Sequence, residues 1–255
     1  MSQGGFPVFR PWIMLPAFYF STESDFQMAL AQKAATKSAT PKKPVYKVDW
    51  QSEDRPVPYD RALAFMEAKA ALIRDKAENE YVWLLEHPPV YTAGTSAKPS
   101  DLLNPRFPVY SAGRGGEYTY HGPGQRIAYA MLDLQKRNPD LRDYIHKLEG
   151  WMIDTLQTWD IAGERREGRI GVWIDMKKHG GKGEAKIAAI GVRVRKWVSY
   201  HGIALNVNPD LSHYNGIVPC GITEHGVTSL ARLGVKVSMQ DVDKGLKANW
   251  EKTFG

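Results

Sequence analysis

Residues 186–207, KIAAIGVRVRKWVSYHGIALNV, limit the fold of this chain more than any other stretch. They are rich in valine, isoleucine and aromatic residues, side chains that suit a pleated, half-buried surface, and they predict strands. Gly191 and Gly202 fall inside the run, where a glycine marks a bend or a close backbone approach. Whatever else folds, a sheet has to form around this segment.

Further strands are predicted at YVWLLE (81–86), RIAYAMLDL (126–134) and GRIGVWID (168–175). Helices alternate with them. PYDRALAFMEAKAALIRDKAEN places Ala62, Phe65, Met66, Leu72 and Ile73 at helical spacing, interrupted by Lys69. DLRDYIHKLEGWMIDTLQTW puts Leu141, Tyr144, Ile145, Leu148, Trp151 and Met152 on one face. SMQDVDKGLKANWEKTF opens on a serine cap and spaces Val242, Leu246 and Trp250 four apart. HPPVYTAGTSAKPSDLL, after the first strand, reads as a loop. The order helix, several strands, helix, many strands predicts an α+β domain with a mixed, largely antiparallel sheet rather than a βαβ repeat.

Residues 1–45 differ in character. STESDFQMALAQKAATKSATPKKP is polar and small, and predicts a poorly ordered extension ahead of a folded domain over 46–255. Prolines interrupt the aromatic start and no small-residue cleavage site follows, so neither a secretory signal nor an anchor is expected. With 43% hydrophobic residues and eight tryptophans the chain can fill a real core. Its one cysteine cannot close an internal disulfide, which points to a reducing cytoplasm. The net charge of +6 fits nucleic acid or an acidic protein partner. Much of the excess is local: from Asp175 to Lys196 seven basic residues face two acids. A solvated loop with no partner would carry the same charge.

Three stretches carry chemistry. RGGEYTYHGPGQ (114–125) holds four glycines and a proline in twelve residues, interleaved with Tyr118, Tyr120 and His121. Such glycines reverse a chain, and they also let backbone N–H groups approach a ligand. No Gly-Lys-Ser/Thr follows, and the stretch does not join a strand to a helix within a βαβ unit, so it is neither a Walker loop nor a dinucleotide fingerprint. His87, His121 and His201 lack metal-ligand spacing, and no metal is expected. Cys220 sits between Pro219 and Gly221. A free cysteine is commonly a small buried hydrophobe, but a rigid turn is not a periodic core position. Lys186 heads KIAAIGV. It is either an exposed strand-end charge or an activator of a thiol: charged, it would favour the thiolate; neutral and buried, it would act as a base.

Taken in order, RGGEYTYHGPGQ, KIAAIGVRV, HGIALNV and PCGI with VTSL resemble the lipoyl(octanoyl) transferases of lipoate biosynthesis, and EHPPVYTAG and GVWI agree. The likeness runs from about Val45 to about Leu230. It implies a biotin/lipoate ligase-like α/β two-layer domain, its sheet flanked by helices. It implies octanoyl-acyl carrier protein as donor. The acceptor would be a lysine on lipoyl domains of 2-oxoacid dehydrogenase complexes or on the glycine cleavage H protein. It makes Cys220 the acyl-thioester cysteine and Lys186 its partner. It makes Arg114, Gly115, Gly116, Glu117, Tyr118, Thr119, Tyr120 and His121 one part of the substrate site. Ala189, Ile190, Gly191, His201, Gly202 and Ile203 form the other. ATP, metal, nucleic acid and membrane have no part in this expectation, and a monomer suffices. A lipoate or biotin ligase shares the fold but activates a free acid with ATP and needs no cysteine; Cys220 and the lack of an ATP-phosphate loop argue against it. The first 45 residues and the basic loop MKKHGGKGEA (176–185) depart from the family pattern without touching the signature, and translation starting at Met28 or later would remove most of the extension.

Overall fold

The computed structural model describes residues 46–218 and 226–255. The extension expected to be poorly ordered, with Met28 in it, and Pro219, Cys220 and Gly221 lie outside the described residues. The chain from Val45 to Gly255 forms one compact unit.

In chain order the elements are β1 (Val48–Ser52), α1 (Tyr59–Arg74), β2 (Glu80–Leu85), β3 (Val90–Ala93), β4 (Val109–Ser111), β5 (Tyr118–His121), β6 (Gln125–Met131), the one-turn α2 (Leu134–Arg137), α3 (Leu141–Gln157), β7 (Val172–Asp175), β8 (Glu184–Arg195), β9 (Val198–Asn206), β10 (Gly226–Val227), α4 (Met239–Ala248) and α5 (Trp250–Phe254). Seven strands make one sheet in the order β1-β2-β6-β9-β8-β10, with β7 also paired to β8. Its centre is antiparallel; β1 joins β2, and β10 joins β8, in parallel. This is the mixed, largely antiparallel sheet the sequence predicts. The 186–207 stretch forms its β8–β9 hairpin, closed by a two-residue turn in which Lys196 and Trp197 both take positive φ, 50° and 63°. That turn geometry matches the twist of the flanking strands.

Helices cover both faces. On one, α1 lays Ala62, Met66, Ala70 and Ile73 against Tyr81, Trp83, Tyr129 and Tyr200. On the other, α3, α4 and α5 bring Leu148, Trp151, Leu246 and Trp250 onto Val82, Ala128, Ala188 and Leu205. The helix starts follow capping rules. Asp140 accepts from the Arg142 and Asp143 amides at 2.8 and 3.1 Å, and Ser238 accepts from the Asp241 amide at 3.1 Å. Two residues of the predicted helix faces leave the core: Leu72 is 40% exposed and Leu141 44%. Among the described residues no helix is long and apolar enough to cross a membrane.

Part of the predicted 87–103 loop is a strand. Val90–Ala93 pairs with Val109–Ser111 in parallel and with Tyr118–His121 antiparallel, making a separate three-stranded sheet, and Pro99–Asp101 forms a 3-10 turn. The second half of the glycine-rich stretch is therefore strand β5 as well as turn.

Candidate active site

The site lies where one strand stops and a loop takes over. β7 pairs with β8 only as far as Ala188. Beyond it the exposed edge of β8 meets the glycine-rich loop, and the Gly115 amide donates to the Val192 carbonyl at 3.0 Å. At this level Gly191 and Gly202 face each other in register across β8 and β9. Neither position has room for a side chain. A Cβ on Gly191 would lie 2.7 Å from Arg114 Cδ, and one on Gly202 would lie 2.1 Å from the Ala128 carbonyl oxygen. The sheet is thin here, and a cavity of about 350 Å³ opens against it, a size suited to a small ligand.

Arg114 is a guanidinium fixed in the cavity wall. Its side chain is 7% exposed and lies over Gly191. Its guanidinium donates to the carbonyls of Thr92, Gly115 and Glu117 and to Thr92 Oγ1, at 2.7–3.2 Å. It thereby ties the glycine-rich loop to β3. Gly115, Gly116, Glu117, Tyr118, Thr119 and His121 join it in the lining, with Ala189, Ile190, Gly191, His201, Gly202 and Ile203. Tyr120 is placed elsewhere. It is buried among Tyr91, Phe107 and Tyr214, with its hydroxyl 2.8 Å from His213 Nδ1, because alternation along β5 turns it away from Thr119 and His121.

Lys186 is not an exposed strand end. It is 8% exposed, lines the cavity, donates from Nζ to the Ile170 carbonyl at 3.1 Å and lies 4.7 Å from the centre of the Trp173 ring. β10 runs beside it, with Val227 its register partner and the Thr228 amide donating to the Lys186 carbonyl at 3.0 Å. Cys220, six residues before Gly226, lies outside the described residues.

A second set of residues completes the cavity, most of them without a mark in the sequence. Leu141 and Ile145 of α3, Ile170 and Trp173 supply apolar wall, which gives Leu141 its reason for leaving the core. Tyr59 and Tyr129 supply ring faces and hydroxyls. Tyr129 donates to His87 Nε2 at 2.7 Å while His87 Nδ1 donates to the Val57 carbonyl at 2.6 Å, which fixes the His87 tautomer. Burial holds His87 down at about 4 and His201 at about 3, and keeps His121 well below the ordinary histidine value. All three imidazoles are neutral at physiological pH. His201 also takes a positive φ of 63°. A non-glycine residue held in that region stores strain, a feature that clusters at functional sites.

The family model described as "Lipoyl protein ligase A/B catalytic domain" matches residues 58–251, which puts the chain in the lipoyl protein ligase A/B class. The fold is shared with the bipartite lipoate protein ligase of Thermoplasma acidophilum, at TM-score 0.61 and 15% identity, over 82% of this chain and 83% of that one. Within the class the sequence is more specific. It is 58% identical over 209 residues to the octanoyltransferase of Caulobacter vibrioides, covering 82% of this chain and 92% of that protein. It is 60% identical over 211 residues to that of Paramagnetospirillum magneticum, covering 82% and 98%. The chain belongs to the octanoyltransferase family.

Proposed function

We propose that this protein carries an octanoyl group from the phosphopantetheine thiol of acyl carrier protein to a lysine of lipoyl domains in 2-oxoacid dehydrogenase complexes and of the glycine cleavage H protein. The reaction runs through a thioester on Cys220, in the cytoplasm, within a single catalytic domain over 46–255. The observation that carries this reading is Lys186: a buried amine in the wall of an apolar cavity, with the strand that follows the Cys220 segment hydrogen-bonded alongside it.

The donor is already a thioester, so no ATP is needed. In the first half-reaction Cys220 sulfur bonds to the octanoyl carbonyl carbon and the pantetheine carbon–sulfur bond breaks. Lys186 receives the thiol proton and passes it to the departing pantetheine sulfur. In the second, the acceptor lysine nitrogen bonds to the same carbon and the Cys220 thioester breaks. The amine proton travels through Lys186 back to the Cys220 sulfur. Arg114 holds the glycine-rich wall in place, and Ile145, Ile170, Ile190 and Trp173 provide apolar surface for the chain, worth about 0.8 kcal/mol for each methylene buried.

The reading is tested by incubating the purified protein with octanoyl-acyl carrier protein and a lipoyl domain, without nucleotide. Octanoylation of one lipoyl-domain lysine is expected. Modification that requires free octanoate and ATP would overturn it in favour of ligase chemistry.

A further inference from the structure

Helix α3 turns one acid inward. Glu149 lies among the residues that pack into the core, Tyr144, Leu148 and Met152 with it, and it is 7% exposed. A carboxylate in such a place is costly unless its oxygens are bonded. Both have partners. Oε1 accepts from the Gly171 amide at 3.1 Å, and Oε2 lies 3.2 Å from Nε of Arg165, whose guanidinium also donates to the His146 carbonyl at 2.9 Å.

The peptide group that Glu149 holds is the one Lys186 uses. The Gly171 N–H and the Ile170 carbonyl belong to a single planar unit. Glu149 accepts at one end of it, and at the other end the Ile170 carbonyl accepts from Lys186 Nζ at 3.1 Å. Because the unit is planar, fixing the N–H also fixes the direction of the carbonyl. A carboxylate on the N–H polarises the unit and strengthens the carbonyl as an acceptor. The surroundings hold the same segment. Trp173, whose ring lies 4.7 Å from Lys186 Nζ, donates from Nε1 to the Arg169 carbonyl at 3.0 Å. Gly171 takes a φ of 126°, and a Cβ there would stand 2.7 Å from the Ala188 carbonyl oxygen and 3.2 Å from Lys186 Cε. The turn is pressed against the lysine stem.

Resting on the proposed role of Lys186 in acyl transfer, we infer that Glu149 is a positioning residue for the Lys186 amine, acting through the Ile170–Gly171 peptide. A lysine amine rides on a flexible stem, and a group that moves protons has to stay within hydrogen-bond reach of the atoms it serves. Without the carboxylate the peptide is free to turn, its carbonyl leaves the amine, and the amine loses its bearing. A displacement of about 1 Å at a reacting group costs up to about a hundredfold in rate.

The experiment is a double-mutant cycle on the full-length protein. Glu149→Ala is made in wild type and in Lys186→Ala, and kcat and KM are read for transfer from octanoyl-acyl carrier protein to a lipoyl domain, with thermal melts as a check on folding. In the wild-type background kcat is expected to fall about ten- to a hundredfold, with KM for the carrier substrate little changed. In Lys186→Ala the same substitution should change kcat less than about twofold, because the group it positions is gone. Glu149→Gln keeps an oxygen acceptor for the Gly171 amide and should restore kcat to within about fivefold of wild type. Equal losses of kcat in both backgrounds, or a Glu149→Gln enzyme as slow as Glu149→Ala, would overturn the positioning role. If Glu149→Ala does not fold, Glu149→Asp takes its place. It keeps the charge beside Arg165 and draws the oxygen back from the Gly171 amide, so kcat is expected to fall and an unchanged kcat counts against the inference. A Lys186→Ala enzyme as fast as wild type overturns instead the functional reading on which it rests.

Discussion

Gly191 and Gly202 sit opposite each other on neighbouring strands in the cavity wall, and each yields the space of its side chain to a close neighbour, Arg114 over Gly191 and the Ala128 carbonyl against Gly202. The two positions differ in what a methyl group would meet. At Gly202 it would strike the Ala128 carbonyl in the central strand β6, which cannot move without breaking the sheet. At Gly191 it would strike the side chain of Arg114. Gly202→Ala is expected to destabilise the protein by about 1–3 kcal/mol, lowering Tm by roughly 2–12 °C. Gly191→Ala should keep the fold and lower kcat/KM about tenfold by pushing Arg114 into the slot. Thermal melts and transfer assays on the pair check the split; equal effects on both quantities in both variants would argue that the two glycines do one job.

Stability should depend on pH through the buried histidines. His87 and His201 have folded values of about 4 and about 3 against an ordinary 6.5. The unfolded chain takes up these protons below pH 6.5 and the folded chain does not, so stability is complete above 6.5 and falls as pH drops towards 4. Each histidine removes about 1.4 kcal/mol per pH unit in that window. Urea melts at pH 7, 6 and 5 should show a progressive loss. A flat profile would mean these imidazoles are hydrated or charged in the native state.

The basic loop after β7 is expected to meet an acidic partner. Lys178 is held by Glu164 at 3.2 Å, while Lys177 and Lys182 are exposed on the surface. Replacing Lys177 and Lys182 by glutamate should raise KM for acyl carrier protein about three- to tenfold at low salt, an effect that fades as added salt screens the charges. An unaltered KM at low ionic strength would return this loop to the role of solvated surface.

The parts of the fold legible in sequence were those with a strong period or a long β-branched run. Residues 186–207 became the central hairpin because valine, isoleucine and aromatic residues fill both strands. The small sheet leaves no clear trace in the sequence because β3 is four residues long beside two prolines, and β4 is three residues, all exposed. Neither offers a pattern long enough to separate strand from loop. Within the candidate site, the residues that stand out in sequence are the unusual ones, glycines and histidines in turns and a lysine at the head of an apolar run. Tyr129, in an apolar strand, has the look of a core residue in sequence, and Tyr59 stands at a helix start beside Asp60 and Arg61, where nothing marks it as cavity wall. The bond joining Tyr129 to His87 spans forty-two residues, a pairing that only the folded sheet creates.

The central claim is the acyl-enzyme on Cys220, and intact-mass analysis after incubation with octanoyl-acyl carrier protein tests it most directly. Wild type is expected to gain one octanoyl group that hydroxylamine removes. Cys220→Ala should gain none while remaining folded, and Lys186→Ala should gain it slowly. An octanoyl adduct of equal size and hydroxylamine sensitivity in Cys220→Ala would contradict the account.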